Sequence, residues 1–290
     1  MKIALLFGLF PKDNYDVIIK NSKGVIQFAA DALQKALVEG LSYFSSNINI
    51  INLPYIGSYP KRYLKFWSPK SGFKYVNDAG MCIYGTNVRF CNLCGYKLFS
   101  RFINAYNELK SWSEKNKVEE KIVVIYAIHT PFIKACVKLK KKYKIKIVLI
   151  VPDLPECMGG QNSFIRNRLQ KLNYKVLTNL YPSIDGFVLL SKYMTELLPI
   201  QNKPWTVVEG IFNNASDDVS IDVSREDDKI KTIFYSGTLA KRYGILNLVE
   251  AISSIDDENV RLMICGDGDS VGIIKEYVKI RANYNFCVII

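Results

Sequence analysis

The chain has 290 residues, of which 49% are hydrophobic and 23% charged, a globular composition with room for two domains. Its formal net charge of +12 is unevenly spread: residues 1–212 carry 30 Lys and Arg against 14 Asp and Glu, and residues 213–290 carry 9 against 13. That composition excludes a disordered chain, and no apolar run reaches the ~18–20 residues a membrane-crossing helix needs; the basic first part points to an anionic partner surface, nucleic acid or lipid.

The opening "MKIALLFGLF" reads as a buried strand at 2–8, because no small-residue cleavage site follows it and "PKDNYD" comes at once. Residues 23–44 place Val25, Phe28, Ala29, Ala32, Leu33, Ala36 and Leu37 on one helical face. A strand at 48–53 follows. The segment "YPKRYLKFWSPKSGFKY" (59–75) mixes Lys and Arg with Tyr, Phe and Trp and lacks helical regularity. Aromatic groups settle at a bilayer interface while cations meet phosphates, so Lys61, Arg62, Lys65 and Trp67 are expected to face a membrane. Helices at 97–112 and 131–143 then alternate with strands at 121–128, 144–151, 186–191 and, more weakly, 205–210. "KLKKKYKIK" (138–146) adds a second basic cluster, part of it the exposed end of a helix.

Residues 213–229, "NNASDDVSIDVSREDDK", are polar, acidic and nearly free of large apolar groups, which is linker composition. Alternation restarts with a strand at 230–236, a helix near 243–255, a strand at 260–265, a helix near 270–281 and a strand at 286–290. Apolar strands alternating with amphipathic helices predict an α/β protein with two doubly wound parallel sheets, the second incomplete: an N-terminal domain (1–212), a linker (213–229) and the first part of a C-terminal domain (230–290).

The seven cysteines are odd in number and scattered, which reads as free thiols in a reducing cytoplasm. Cys91-x-x-Cys94 lacks the four ligands of a structural zinc site, and the single histidine, His129, is distant in sequence.

Two strand-to-helix turns carry anion chemistry. In "YSGTLAKRYG", Gly237 permits a tight turn and close approach, the following helix directs free N–H groups back at it, and Lys241 and Arg242 add full charges. A plain structural turn reads equally well. In "LMICGDGDS", Gly266 and Gly268 form G-x-G without a third glycine, and Asp267 and Asp269 read alternatively as helix caps. Both turns lie at carboxyl ends of strands, where open α/β sheets bind ligands.

The run "FYSGTLAKRYGILNLVEAI…VRLMICGDGD" resembles the start of the donor-binding domain of family 4 (group 1) retaining glycosyltransferases of GT-B fold, and "VPDLPECM" (151–158), "DGFVLLSKYMTELL" (185–198) and "VVEGIF" (207–212) look similar to bacterial surface-polysaccharide members. Thr238 stands where that family often has Arg, and Tyr243 where Lys usually precedes Gly244, leaving Lys241 and Arg242 as substitutes. The family's Glu-x7-Glu segment would come after residue 290, so by this resemblance the chain looks truncated.

The resemblance implies transfer of a sugar from a nucleoside-diphosphate sugar to a lipid-linked or oligosaccharide acceptor, with no metal or other cofactor, by a cytoplasmic protein at the inner face of the plasma membrane. It implies that Gly237, Thr238, Lys241 and Arg242 meet the donor diphosphate, with Gly266, Asp267 and Gly268 on the nucleotide side; Gly8, after the first strand, permits close approach of donor or acceptor and is grouped with the diphosphate-binding residues. Asp153, just past the strand at 144–151, becomes a candidate to orient or deprotonate the acceptor hydroxyl; it reads otherwise as a turn residue beside Pro152 and Pro155. His129, at another strand end, is a catalytic candidate or a satisfied loop residue. Glu156 and Glu209 are further candidates on the acceptor side. A lipid acceptor makes membrane, rather than nucleic acid, the expected partner of the basic aromatic segment. The rival expectation is a non-catalytic GT-B protein that binds glycan or membrane within an assembly complex.

Overall fold

A computed structural model of the chain describes residues 1–154, 164–200, 202–211, 230–257, 259–281 and 286–289, with backbone alone at 164–167 and from 280 onward. Contacts divide it into two compact units, Met1–Ser216 and Asp217–Ile290.

The first unit is built on β1 (Lys2–Phe7), α1 (Tyr15–Asn21), α2 (Phe28–Ser42), β2 (Ile48–Asn52), β3 (Trp67–Ser68), β4 (Ser71–Val76), β5 (Cys82–Asn87), β6 (Phe90–Cys91), α3 (Lys97–Lys115), β7 (Lys121–Tyr126), α4 (Thr130–Tyr143), β8 (Ile145–Val151), α5 (Phe164–Leu180), β9 (Gly186–Leu189), α6 (Met194–Leu197) and β10 (Trp205–Val207). Eight strands form one sheet in the order β10-β9-β8-β7-β1-β2-β5-β4. Every neighbouring pair is parallel except β4 with β5. Chain order reverses between β1 and β7, so the reversal crevice opens beyond Phe7 and Tyr126.

Alternation along β1 divides the core. Ala4 and Leu6 face a cluster with Ala105 and Leu109 of α3, Phe132, Cys136 and Leu139 of α4, and Leu177 of α5. Ile3, Leu5 and Phe7 face Val38 of α2 and the partly buried Leu33 and Leu37. Helices therefore cover both faces, and the strands are apolar on both sides.

Three sequence expectations are corrected here. The helix expected over 23–44 begins only at Phe28, as α2, after a loop that separates it from α1, and Val25 and Phe28 are exposed. The buried face of α2 holds Asp31, Gln34, Val38, Glu39 and Ser42, because its polar groups bind neighbouring loops. The 59–75 segment is not wholly surface: Tyr63 and Phe73 are buried, and β4 pairs antiparallel with β5.

The second unit holds β11 (Lys231–Ser236), α7 (Ile245–Ser253), β12 (Val260–Cys265), α8 (Val271–Arg281) and β13 (Phe286–Ile289), with the strands parallel in the order β11-β12-β13. Leu239, Ile245, Val249, Ile252, Leu262, Ile264 and Ile274 form its core.

Candidate active site

In the first unit, three adjacent strand ends gather the candidate groups: Gly8 after β1, His129 after β7 and Asp153 after β8. Protein groups already meet Gly8 closely. Its N–H donates to Gln34 Oε1 at 2.7 Å, and Phe10 N–H donates to Asp31 Oδ1 at 2.6 Å. A Cβ at Gly8 would lie 2.4 Å from Tyr55 Cδ2, so the close approach this glycine permits is made by an aromatic ring. Tyr55 is fixed by its hydroxyl, which donates to the Tyr126 carbonyl at 2.8 Å, and by its N–H, which donates to the Gly8 carbonyl at 2.8 Å.

Beside Tyr55 stands Arg101 of α3, only 1% exposed. Its Nε donates to His129 Nε2 at 3.0 Å, one terminal nitrogen to the Pro54 carbonyl at 2.9 Å, and the other to the Leu53 carbonyl at 2.7 Å. The rings of Phe90, Phe132 and Tyr55 surround the guanidinium at 4.9, 5.0 and 5.2 Å. Burial pushes Arg101 down to about 10, with the Tyr55 hydroxyl opposing. Lys97, one helical turn earlier, donates to the Ile56 carbonyl, and burial together with Arg101 lowers it to about 7. His129 is held well below its ordinary range by burial, then by Arg101 and Lys97. The imidazole is therefore neutral near pH 7. With Nε2 accepting from Arg101, its proton sits on Nδ1, and the ring can offer a donor rather than a base.

Ala127, between β7 and His129, has φ 65°, a left-handed conformation unusual for alanine. The His129 N–H donates to the Ala127 carbonyl at 2.8 Å, and His129 is the residue before α4. Asp153 is exposed, and its carboxylate, after burial, helps push the Tyr126 hydroxyl up. Glu209 is exposed, two residues past β10 at the sheet's far edge. Glu156 lies outside the described residues. Lys61, Arg62, Lys65 and Trp67 are all exposed, and Arg89 stacks on Trp67 at 4.5 Å.

In the second unit, the turns after β11 and β12 are zipped together. Gly237 N–H donates to Cys265 O at 3.0 Å, Leu239 N–H to Asp267 O at 2.9 Å, and Ser270 N–H to Leu239 O at 2.9 Å. Gly266, at φ +152°, has room for no side chain: a Cβ would lie 1.9 Å from Gly237 O. At Gly268 it would lie 2.2 Å from Leu239 O. The G-x-G glycines thus let one turn lie on the other. Asp267 Oδ1 accepts from Gly268 N–H at 2.8 Å, a bond within its own turn.

Gly237 and Thr238 are exposed on this platform. Lys241 and Arg242 do not open α7; they lie in a separate 3-10 turn, Lys241–Tyr243, with Gly244 at φ 75° between it and the helix. Both are exposed, and Arg242 stacks on Tyr243 at 4.8 Å.

No protein-family model matches the chain, and no curated protein matches it. Solved structures do. All of this chain aligns with 74% of the catalytic domain of starch synthase IV from Arabidopsis thaliana, bound to ADP and acarbose, at 9% identity and TM-score 0.55. It aligns over its whole length with 69% of HepE from Anabaena in complex with UDP and glucose, at 10% identity and TM-score 0.56. It aligns likewise with 76% of TarM, at 10% identity and TM-score 0.51. The fold is GT-B-like. At these identities the similarity is one of fold.

Sequence reasoning missed Arg101, Tyr55, Asp31 and Gln34. A signal for the last two was available: polar residues interrupt the apolar stripe of α2 on the face that points inward.

Proposed function

We propose that this protein is a glycosyltransferase that takes its sugar from a nucleoside-diphosphate sugar. The observation that carries this reading is the zipped pair of turns in the second unit, with exposed Gly237 and Thr238 beside the Lys241–Arg242 turn. Structures sharing the fold include proteins holding ADP or UDP, which supports the same reading.

In the transfer, the bond from the anomeric carbon to a diphosphate oxygen breaks and a bond to the acceptor oxygen forms. The departing diphosphate takes the electron pair. The side-chain charges of Lys241 and Arg242 stabilise that growing charge, as preorganised cations do without a metal. Asp153 orients the acceptor hydroxyl or receives its proton. Neutral His129 serves as a hydrogen-bond donor. By the sequence resemblance the chemistry is of the family 4 retaining type. The acceptor is a lipid-linked glycan of bacterial surface-polysaccharide synthesis, met at the cytoplasmic face of the plasma membrane through Lys61, Arg62, Lys65 and Trp67. Among the described residues no helix is long and apolar enough to cross a membrane.

A non-catalytic glycan- or membrane-binding role is favoured by one feature, the Tyr55 ring that fills the space over Gly8. Incubating the purified protein with a panel of sugar nucleotides and following release of the nucleoside diphosphate separates the two. Transfer or hydrolysis with one donor is expected; inertness toward all of them, despite nucleotide binding, would favour the binding role.

A further inference from the structure

Helices α3, α4 and α5 pack in series on the face of the first sheet opposite α2. Together they carry thirteen Lys and Arg against two Asp and Glu, whereas α2 carries one against two; of the thirteen, Arg101 is buried, Lys97 is turned onto the Ile56 carbonyl and Lys140 is paired with Asp185 at 2.6 Å, which leaves ten. Both acids of this layer are engaged: Glu108 pairs with Lys70 at 2.7 Å, and Glu114 accepts from the Tyr143 hydroxyl at 2.8 Å. No acidic residue occurs from 157 to 184. One face of the unit is therefore strongly positive.

Exposed apolar side chains are interleaved with these charges. Over residues 168–180 of α5 only Leu177 is buried. Leu169, Leu172 and Val176 are 61%, 56% and 41% exposed and, at spacings of three and four, form one stripe flanked by Arg168, Lys171 and Lys175. On α3, Phe99 and Ile103 are exposed one turn apart. Residues 59–67 join this side through Tyr59 N–H to Asn92 O at 3.0 Å and Asn92 N–H to Phe66 O at 2.7 Å.

The mixture selects the partner. Phosphodiester backbones reward cations but gain nothing from exposed leucines, whereas an anionic bilayer interface rewards both. We infer that the α3–α4–α5 face docks on an anionic lipid bilayer, its cations meeting lipid phosphates and the α5 leucines entering the interface. This surface extends well beyond the 59–75 segment, and it requires nothing of the transfer reaction proposed above.

The test is co-sedimentation of the protein with vesicles of phosphatidylcholine alone, or mixed with phosphatidylglycerol, at low and high salt. Binding is expected with the anionic vesicles only and weakens in high salt. The exposed double variant Leu169→Ser/Leu172→Ser, its fold checked by circular dichroism, binds about tenfold less tightly. In a Leu172→Trp variant, brominated lipids quench fluorescence beyond the wild-type level. Absence of anionic-vesicle binding overturns the inference. So does undiminished binding of the serine variant with no added quenching. So does displacement of vesicles by an oligonucleotide that the serine variant binds as well as wild type, which assigns the face to nucleic acid. Donor hydrolysis by the serine variant, assayed without vesicles, is expected to equal wild type, so failure of docking and failure of the enzyme reading are told apart.

Discussion

Arg101 Nε donates to His129 Nε2 at 3.0 Å, so a buried guanidinium, rather than a carboxylate, sets the tautomer of the one histidine in the chain. Removing it has two separable consequences. Arg101→Met leaves the Leu53 carbonyl and His129 Nε2 without that donor, while the Pro54 carbonyl keeps the Ile56 N–H at 2.9 Å; at about 1–3 kcal/mol per buried orphan, offset by relief of a buried charge, the net loss is on the order of 2 kcal/mol. All three tryptophans, Trp67, Trp112 and Trp205, lie in the first unit, so urea unfolding followed by tryptophan fluorescence reads this loss directly. Arg101→Lys keeps the charge but cannot bridge three acceptors, and is expected to recover little. In either variant that still folds, NMR titration shows what happens to His129. Its pKa rises in Arg101→Met, where the cation is gone, and less in Arg101→Lys.

The depressed groups give the first unit a defined pH response. For His129 the folded pKa lies below the unfolded one, so the unfolded chain binds the extra proton and stability falls as pH drops below ~6.5. Lys97 acts higher on the scale. Its folded value is about 7 against an ordinary 10.5, so between those limits the unfolded state again holds more protons and stability rises with pH. Lys97→Met is expected to raise the urea midpoint at pH 7 and flatten the slope between pH 7 and 10. An unchanged slope in that variant would remove Lys97 as its source.

Gly266 and Gly237 stand in neighbouring turns yet tolerate change very differently. A Cβ at Gly266 would run into the Gly237 carbonyl at 1.9 Å, in a backbone conformation that disfavours L side chains, so Gly266→Ala is expected to cost on the order of 3 kcal/mol and to open the zipped turns. At Gly237 the nearest obstacle is the Tyr235 hydroxyl at 3.3 Å, and alanine there is expected to cost under ~1 kcal/mol. Hydrogen exchange across 231–281 measures the difference, with tryptophan-detected unfolding of the first unit as the control.

The strand positions and their parallel pairing were legible because buried parallel strands are apolar on both faces, as "KIALLF" and "KIVVIY" show. The β4–β5 pair was hidden: "SGFKYV" has Lys74 and Gly72 outward and only Phe73 buried, which reads as a basic loop. At the site, sequence located the strand ends and the cationic turn. It could not show that Gly266 and Gly268 serve turn-on-turn packing, or that Gly8 is met by Tyr55, because both depend on which turn lies beside which. Arg101 was invisible for the same reason: its partners, at 53, 54 and 129, are brought to it only by the fold.

The electrostatic reading of the second unit rests on Lys241 and Arg242. They lie in a 3-10 turn outside the helix proper, so replacing them leaves the α7 backbone and the core residues Ile245 and Val249 in place. Each exposed cation that touches a diphosphate contributes about 1 kcal/mol or more through a charge-assisted bond, so Lys241→Ala/Arg242→Ala should weaken nucleoside-diphosphate binding by about 10- to 100-fold. If these groups also stabilise the departing diphosphate, turnover falls further than ground-state affinity does, since the charge they meet grows in the transition state. Calorimetry with UDP and ADP measures the first effect, and donor hydrolysis at saturating substrate the second. Asp153→Asn supplies the contrast: it should lower turnover while leaving nucleotide affinity at the wild-type value, because that carboxylate is assigned to the acceptor. Unchanged UDP and ADP affinity in the double alanine variant would place the donor phosphates elsewhere.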